Sequence, residues 1–491
     1  MLIIFEIANN HNGSIERAFK IVDALVPIKE KYEDIDFAVK LQLRNIETFI
    51  HPNYKLRFDL PYIERFVQTK LSDEDFFNLC FYIKEKGFLL GVTPFDEDSV
   101  EFIKRCNLDF IKVASCCSNE WGLLDKISDC DKPIIVSTGG LNWDEIDNVY
   151  NFLRHKGNKF SLLHCIGIYP ALMEQMNLKC IDKMKKRYPE SRIGFSDHSS
   201  KGNFEPMKIA VSKGAEIIER HIDLDNNGNV YSICPEETEV YMEFLSNTLR
   251  YLGNNEKEIS SIEKENLKHL KRGVWAKKNI TTNEKLNLGN IFFAFPSFPE
   301  QLLSEEFNSY RKNLELWENA KQNEPIRIKS EEEDKTNLTR RYVHRAKSML
   351  NEAGIFLNDK CKVELCHHYG FDKFLDFGAV VINVINRQYC KKFLIMFPNQ
   401  HYLNHVHHSK EETFRILWGK MTLKLEEDIF ELGSGDDILV DRYRAHGFWT
   451  GKEGVIFEEI STTHIVGDSY YKDTEVYKLD PMERKTAIEK L

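Results

Sequence analysis

No apolar run in this sequence approaches the roughly 18 residues that a membrane-spanning helix requires. The first strand candidate begins at the second residue, which leaves no room for a signal peptide. A basic stripe is missing too: 67 Lys and Arg against 77 Asp and Glu give a net charge of −10, which argues against nucleic acid as the main partner. Local basic runs such as Lys185-Lys186-Arg187 read as solvated helix faces. The 11 cysteines are odd in number and scattered, several of them inside strand candidates, so a disulfide framework is not expected and a reducing cytoplasm is. No internal repeat is visible beyond a strand–helix alternation. At 491 residues the chain is too long for one compact domain. These absences point to a soluble, cytoplasmic enzyme with neither membrane nor nucleic acid as partner.

What is present is a series of eight short apolar runs: LIIFEIA (2–8), FAVKLQL (37–43), FLLGVTPF (88–95), FIKVASC (110–116), KPIIVSTG (132–139), KFSLLHC (159–165), RIGFSDH (192–198) and AEIIERH (215–221). Continuous Ile/Val/Leu/Phe runs of this length suit strands buried on both faces, and amphipathic stretches such as IERAFKIVDALV suit the crossover helices between them. Eight such units predict an α/β fold of the TIM (β/α)8 barrel type over 1–255. In that fold the side chains at the C-terminal strand ends converge on one pocket, and here those ends carry Glu6, Lys40, Thr93, Lys112, Ser137, His164, His198 and His221.

After a helix at about 235–252 the composition turns polar (NNEKEISSIEKEN), and short strands and turns from Arg272 suggest a small β-rich module over 256–330. The charged stretch SEEEDKTNLTRR is read as a linker, 331–344. Beyond it, AVVINVI, KFLIMFP, TFRILWGKMTLKL, DDILVDRY and GVIFEEIS predict an all-β barrel over 345–491.

At the barrel mouth, His198 and His221 close neighbouring strands, so both imidazoles can reach one divalent ion and leave positions open for substrate. A single histidine there would as readily be a hydrogen-bonded strand end; the pair, flanked by Asp197 and Glu219, favours metal. Lys40 and Lys112 are costly to bury without an anion. With Ser115, Ser137 and Ser196 they would cradle a phosphate or carboxylate, or one lysine could form a Schiff base. Glu6, Asp96 and Glu219 are the available acids and bases. Arg220 reads as a surface ion pair.

The stretches EIANNHNG (6–13), FAVKLQ (37–42), TPFD (93–96), IKVASC (111–116), IIVSTGG (134–140), LLHCIGIYP (162–170), IGFSDHS (193–199) and EIIERHIDLD (216–225) resemble the sialic acid synthase family over about 1–245. The resemblance implies condensation of phosphoenolpyruvate with an aldose, usually N-acetylmannosamine, with Mn²⁺ or a similar ion: C3 of the enol attacks the aldehyde, water adds at C2, and phosphate leaves. It implies His198 and His221 as metal ligands. Lys40, Lys112, Ser115, Ser137 and Ser196 would hold phosphoenolpyruvate, and Glu6, Gln42, Tyr169 and Glu219 would orient the sugar or water. RGVWAKKNITTNEKL resembles the opening of the family's antifreeze-like domain, which implies a domain-swapped homodimer. Departures are specific. The family's Arg-Pro-Gly is Phe295-Pro296-Ser297, a glutamate is replaced by Cys117, and an asparagine by Gly167. They imply a different acceptor sugar, lacking an N-acetyl group.

The C-terminal text holds His405-x-His407-x₄-Glu412-x₆-Gly419 and then His446, a cupin spacing. Residues two apart on a strand share a face, so His405 and His407 point together, with Glu412 and His446 from following strands. Three imidazoles and a carboxylate suit Mn²⁺, Zn²⁺, Fe²⁺, Ni²⁺ or Co²⁺. His408 and Glu411 are the alternatives by register. Cys361-x₄-Cys366-His367-His368 lacks a second half and reads as ordinary core and surface. The ending EEISTTHIVGDSYY, with Lys410, resembles cupin sugar isomerases of the D-lyxose isomerase type, implying aldose–ketose isomerisation with Lys410 and Glu459 as substrate or base groups. One chain would then isomerise a sugar and condense it with phosphoenolpyruvate to a sialic acid-like 3-deoxy-2-ulosonic acid. The alternatives are a degenerate sugar-binding or regulatory protein, and a synthase whose cupin is not an isomerase.

Overall fold

A computed structural model describes residues 1–225, 229–307, 314–329, 335–358 and 361–488. The chain divides into two compact units, Met1–Glu256 and Lys257–Leu491.

In the first unit, eight parallel strands close a TIM barrel: β1 (Leu2–Glu6), β2 (Asp36–Leu43), β3 (Leu89–Pro94), β4 (Phe110–Val113), β5 (Ile134–Ser137), β6 (Phe160–Cys165), β7 (Arg192–Asp197) and β8 (Ile217–His221), with β8 pairing back on β1. Period-2 alternation sorts each strand. On β1, Ile3 and Phe5 face the surrounding helices and join the main core, while Leu2 and Ile4 face inward. The interior is filled low down by Leu2, Ile4, Ala38, Phe110, Ile135, Leu163 and Ile217. Phe110 occupies the space beside Gly91, where a Cβ would stand 2.2 Å from its ring, so only glycine fits. Above this apolar floor, buried polar side chains gather at the C-terminal strand ends. The register levels them: Glu6 pairs with Lys40 on one side and His221 on the other, and Ser196 with Glu219.

In the second unit, β9 (Gly273–Ala276) and β10 (Ile291–Ala294) form an antiparallel pair over a small core of Val274, Ile280, Ile291, Leu302 and Ile326. A helix, Lys335–Glu352, follows. Its first ten residues fall in the stretch expected as linker. Charge dominates their composition, yet Tyr342, Val343, Ala346, Met349 and Leu350 make an apolar stripe at helical spacing that is buried. The rest is all β: β11 (Lys362–His367), β12 (Gly378–Asn386), β13 (Tyr389–Met396), β14 (His401–Val406), β15 (Glu412–Leu425), β16 (Asp428–Gly433), β17 (Asp437–Val440), β18 (His446–Thr462), β19 (Tyr470–Tyr471) and β20 (Lys485–Ile488). A sheet of order β16-β15-β18-β13-β12-β11-β20 is joined by β14 on β18 and β19, and by β17 on β15. One face packs the helix; the other encloses Val381, Leu394, Phe414, Phe448 and Phe457. Among the described residues no helix is long and apolar enough to cross a membrane.

Candidate active sites

The barrel mouth is a continuous chain of buried polar contacts. Lys40 makes a close ion pair with Glu6 and lies 3.3 Å from Glu219 Oε1, donating as well to Thr93 Oγ1 at 3.2 Å. Lys112, fully buried, donates to Ser137 Oγ at 2.6 Å and lies 3.7 Å from Glu219 Oε2. Burial alone would raise the Glu219 carboxyl, but the two lysines overcome it and hold the group down at about 2. Burial and the charge of Lys112 pull Lys40 down to about 8, against the attraction of Glu219. Ser196 Oγ bridges Glu219 (3.4 Å) and His198 Nε2 (3.3 Å), and His198 Nδ1 faces the Ile166 carbonyl at 2.8 Å. Cys165 Sγ, 3.7 Å from His198, carries the chain to Ser115 Oγ at 3.4 Å. The His198 and His221 rings lie 5.4 Å apart, with Tyr169 4.1 Å from the first and 5.9 Å from the second. His221 Nδ1 is buried without a hydrogen-bond partner, and burial, then the neighbouring His198 and Lys40, hold its ring neutral. Two imidazoles, one with an orphaned nitrogen, beside an ionised carboxylate fit a divalent cation. Gln42 donates to Glu6 Oε1 at 3.4 Å and also lines a cavity of about 470 Å³ with Asn9, His11, Arg44, Asn45 and Thr69.

In the C-terminal domain, His405 and His446 are register partners on β14 and β18; His407 follows β14 and Glu412 opens β15. The four buried side chains offer ligand atoms that all lie within 4.8 Å of one another. Each histidine turns Nδ1 to a main-chain carbonyl: His405 to Leu403 (2.8 Å), His407 to Asp468 (2.7 Å) and His446 to Arg444 (3.1 Å). Those carbonyls accept, so Nδ1 carries the proton and Nε2 keeps its lone pair. His446 Nε2 and Glu412 Oε1 stand 2.9 Å apart, buried and outside hydrogen-bond geometry. Burial, then the neighbouring histidines, hold His405 well below its ordinary value, and burial pulls His407 down to about 4. Three imidazoles and a carboxylate whose ligand atoms gather at one point fit a metal ion. Lys410 makes a close ion pair with Glu412 and donates to Glu459 Oε1 at 2.9 Å; Lys392 lies 3.4 Å from the same oxygen. His405, His407 and Glu412 border a cavity of about 60 Å³ together with Lys392, Lys410 and Glu459.

A sequence model of the NeuB family matches residues 32–257. An uncharacterized protein of Methanocaldococcus jannaschii is 32% identical over 299 residues, which is 60% of this chain and 84% of the relative. The chain belongs to the NeuB family. N,N'-diacetyllegionaminic acid synthase of Campylobacter jejuni is 28% identical over 305 residues, 59% of this chain and 89% of that enzyme. A crystal structure from Chromobacterium violaceum, provisionally named spore coat polysaccharide biosynthesis protein E, is 34% identical with a TM-score of 0.64 and covers 66% of this chain and 98% of its own.

In this NeuB-family chain the structure gathers the barrel residues singled out from sequence: Glu6, Lys40, Gln42, Lys112, Ser115, Ser137, Tyr169, Ser196, His198, Glu219 and His221 share the contacts above. Two of the candidates, one strand-end histidine and one acid, fall outside. His164 Nε2 is bound to the Met176 carbonyl at 2.7 Å. Asp96 is a helix N-cap, accepting from the main-chain N–H of Ser99 and Asn45, both at 2.8 Å, and is no free acid. Arg220, expected at the surface, is 0% exposed and paired with buried Asp197 at 3.0 Å, tying the ends of β7 and β8 from behind the histidines. Cys117 is buried in the main hydrophobic core of the barrel unit. In the C-terminal domain His408 stacks on Tyr470 and Glu411 is exposed, so neither competes with His407 and Glu412. Lys392 and Asp468 were missed. The Asp468 carboxylate accepts from the main-chain N–H of His408 (3.1 Å), Ser409 (3.1 Å) and Lys410 (3.0 Å), a role with no local sequence signal.

Proposed function

We propose that the barrel condenses phosphoenolpyruvate with an aldose to give a 3-deoxy-2-ulosonic acid, and that the C-terminal domain, a cupin in type, interconverts an aldose and a ketose. The observation that carries the first half is the convergence of Lys40, Lys112, Ser115, Ser137 and Ser196 on the same strand ends as His198 and His221. Lys112 with Ser137, and Lys40 with Thr93, offer two cationic donor pairs for the phosphate and carboxylate of phosphoenolpyruvate. Gln42 borders both the mouth and the adjoining 470 Å³ cavity, which gives an acceptor sugar a place beside Glu6. His198 and His221 would hold a divalent ion, Mn²⁺ in the family resemblance, that polarises the acceptor aldehyde. Glu219, kept ionised, and Tyr169 over His198 orient the acceptor or the water.

The second half rests on the quartet beside two groups of opposite protonation. Glu412 and Glu459 keep Lys410 charged despite burial, and Lys392 with Lys410 hold Glu459 ionised at about 2. Glu459 accepts the proton that moves between C1 and C2, and Lys410 serves the substrate oxygen as donor. His405, His407, Glu412 and His446 would hold a divalent ion, which would supply a Lewis acid for the sugar oxygens. The site is read as a phosphoenolpyruvate and small-sugar enzyme in the cytoplasm, working as a homodimer through the 256–330 module. Carrying both activities on one chain raises the local supply of acceptor.

Phosphate release from phosphoenolpyruvate, measured with Mn²⁺ and a panel of aldoses and ketoses, tests both halves. His198→Ala is expected to abolish release with every sugar, and His405→Ala only release with a ketose. Wild-type behaviour of both variants would overturn the reading.

A further inference from the structure

Beside the quartet the C-terminal domain buries a second group of polar atoms with no use in the scheme above. Arg484, just before β20, is 8% exposed, and its Nε and Nη1 are buried without hydrogen-bond partners. It has no acidic partner among the described residues, and its guanidinium lies over the Tyr471 ring at 4.8 Å, which supports one face and leaves the N–H edges free. His368, also buried, shares a 3.0 Å hydrogen bond with the Tyr471 hydroxyl through Nε2, while Nδ1 is orphaned. Both residues line a cavity of about 30 Å³ together with Ser469 and Lys485, and among the described residues no acidic side chain forms its wall. The cation of Lys485 is matched by Glu364 at 2.9 Å, outside that wall; the cation of Arg484 is not.

An unpaired guanidinium with two idle N–H groups is costly to bury. Its planar fork matches the oxygens of a phosphate or carboxylate. Since about 10–15 Å³ of such space holds one water, this cavity has room for two waters or one small oxyanion. The two orphaned N–H groups of Arg484, with Lys485 in the same wall, favour an oxyanion, and a phosphate monoester offers each of them a terminal oxygen. The pocket also adjoins the quartet: Cys366, His464, Ser469, Tyr471 and Lys485 line both cavities.

We propose that this pocket, built on Arg484 and His368, binds the phosphate group of a phosphorylated sugar whose carbonyl end reaches the quartet. The assignment of the sugar rests on the isomerase reading; the oxyanion pocket does not. The test is equilibrium dialysis of the full, metal-loaded chain against inorganic phosphate. Because the barrel mouth binds oxyanions too, wild type is expected to hold two phosphates, Lys112→Ala one and Arg484→Gln the other one, the lost site weakening at least about tenfold. Wild-type stoichiometry and affinity in Arg484→Gln would overturn the proposal. Should that variant fail to fold by its thermal midpoint, Arg484→Lys keeps the charge without the fork; unchanged phosphate affinity there overturns it equally. Steady-state isomerisation then separates substrate from free phosphate. Arg484→Gln should raise KM about thirtyfold for a phosphorylated ketose and leave that of a neutral one alone. A loss of phosphate binding with both KM values unchanged would overturn the substrate assignment. If no sugar is isomerised yet phosphate binding still depends on Arg484, the isomerase reading fails and the pocket stands.

Discussion

The barrel mouth and the C-terminal quartet use the same parts in opposite proportion. In each, one buried carboxylate lies between two lysines: Glu219 beside Lys40 (3.3 Å) and Lys112 (3.7 Å), Glu459 beside Lys410 (2.9 Å) and Lys392 (3.4 Å). In each, histidines stand close by. The barrel spends its cations on hydroxyl-backed donor pairs and supplies two imidazoles, only one of them fixed through Nδ1. The C-terminal domain fixes all three imidazoles through Nδ1 and adds a carboxylate. A mouth built on lysines and serines is prepared for an anion, with an ion as helper. The quartet is prepared for the ion itself.

That contrast can be broken by exchange of effects. The largest is expected from Lys112→Ala, which removes the fully buried cation behind Ser137: phosphate release should fall by about a thousandfold or more, with metal content of the C-terminal domain unchanged by elemental analysis. A parallel fall in metal content would mean that the two sites are not independent. A smaller effect should follow from Asp468→Ala. The Asp468 carboxylate gathers the main-chain N–H groups of the loop carrying His407, so its loss loosens one imidazole without removing a ligand. Metal affinity should weaken by about 10–100-fold, read by competition with a chelator. A change below about twofold would show that the carbonyl contact from residue 468 to His407 suffices alone.

The difference between the two regions also governs what the sequence could tell. In a closed parallel barrel, period-2 alternation and strand order place every strand-end side chain, so Lys40, Lys112, His198 and His221 could be named before any coordinates. Where a strand end meets a loop, the local contact decides instead. His164 is drawn to the Met176 carbonyl and Asp96 to a helix start, neither of which alternation encodes. The quartet was legible because two of its members lie two apart at the end of one strand. Asp468 and Lys392 were not, since each reaches its partners across dozens of residues, and Arg484 was not, since burial without a hydrogen-bond partner leaves no sequence signal. Arg220 was misjudged for a related reason: an arginine on a strand is usually exposed, and its buried partner Asp197 lies on the neighbouring strand, 23 residues away.

The smallest expected effect concerns acid stability, where the two carboxylates should behave alike. Burial by itself would raise Glu219 and Glu459, but the flanking lysines hold each at about 2, below the ordinary 4.5. A carboxyl with a lowered folded pKa stabilises the fold above its unfolded value and loses that contribution as pH falls toward the folded one. Each group therefore contributes at most about 3 kcal/mol that is present above about pH 5 and lost on descent to about pH 2. Glu459→Gln, which keeps the shape and cannot ionise, leaves Lys392 and Lys410 less well paired, so it should lower stability at neutral pH and flatten its decline between pH 5 and 2. Denaturant titrations of wild type and variant across that window measure the two slopes. Parallel slopes would mean that the lysine pair around Glu459 does not hold its proton off, and would remove the ground for treating it as the counterpart of Glu219.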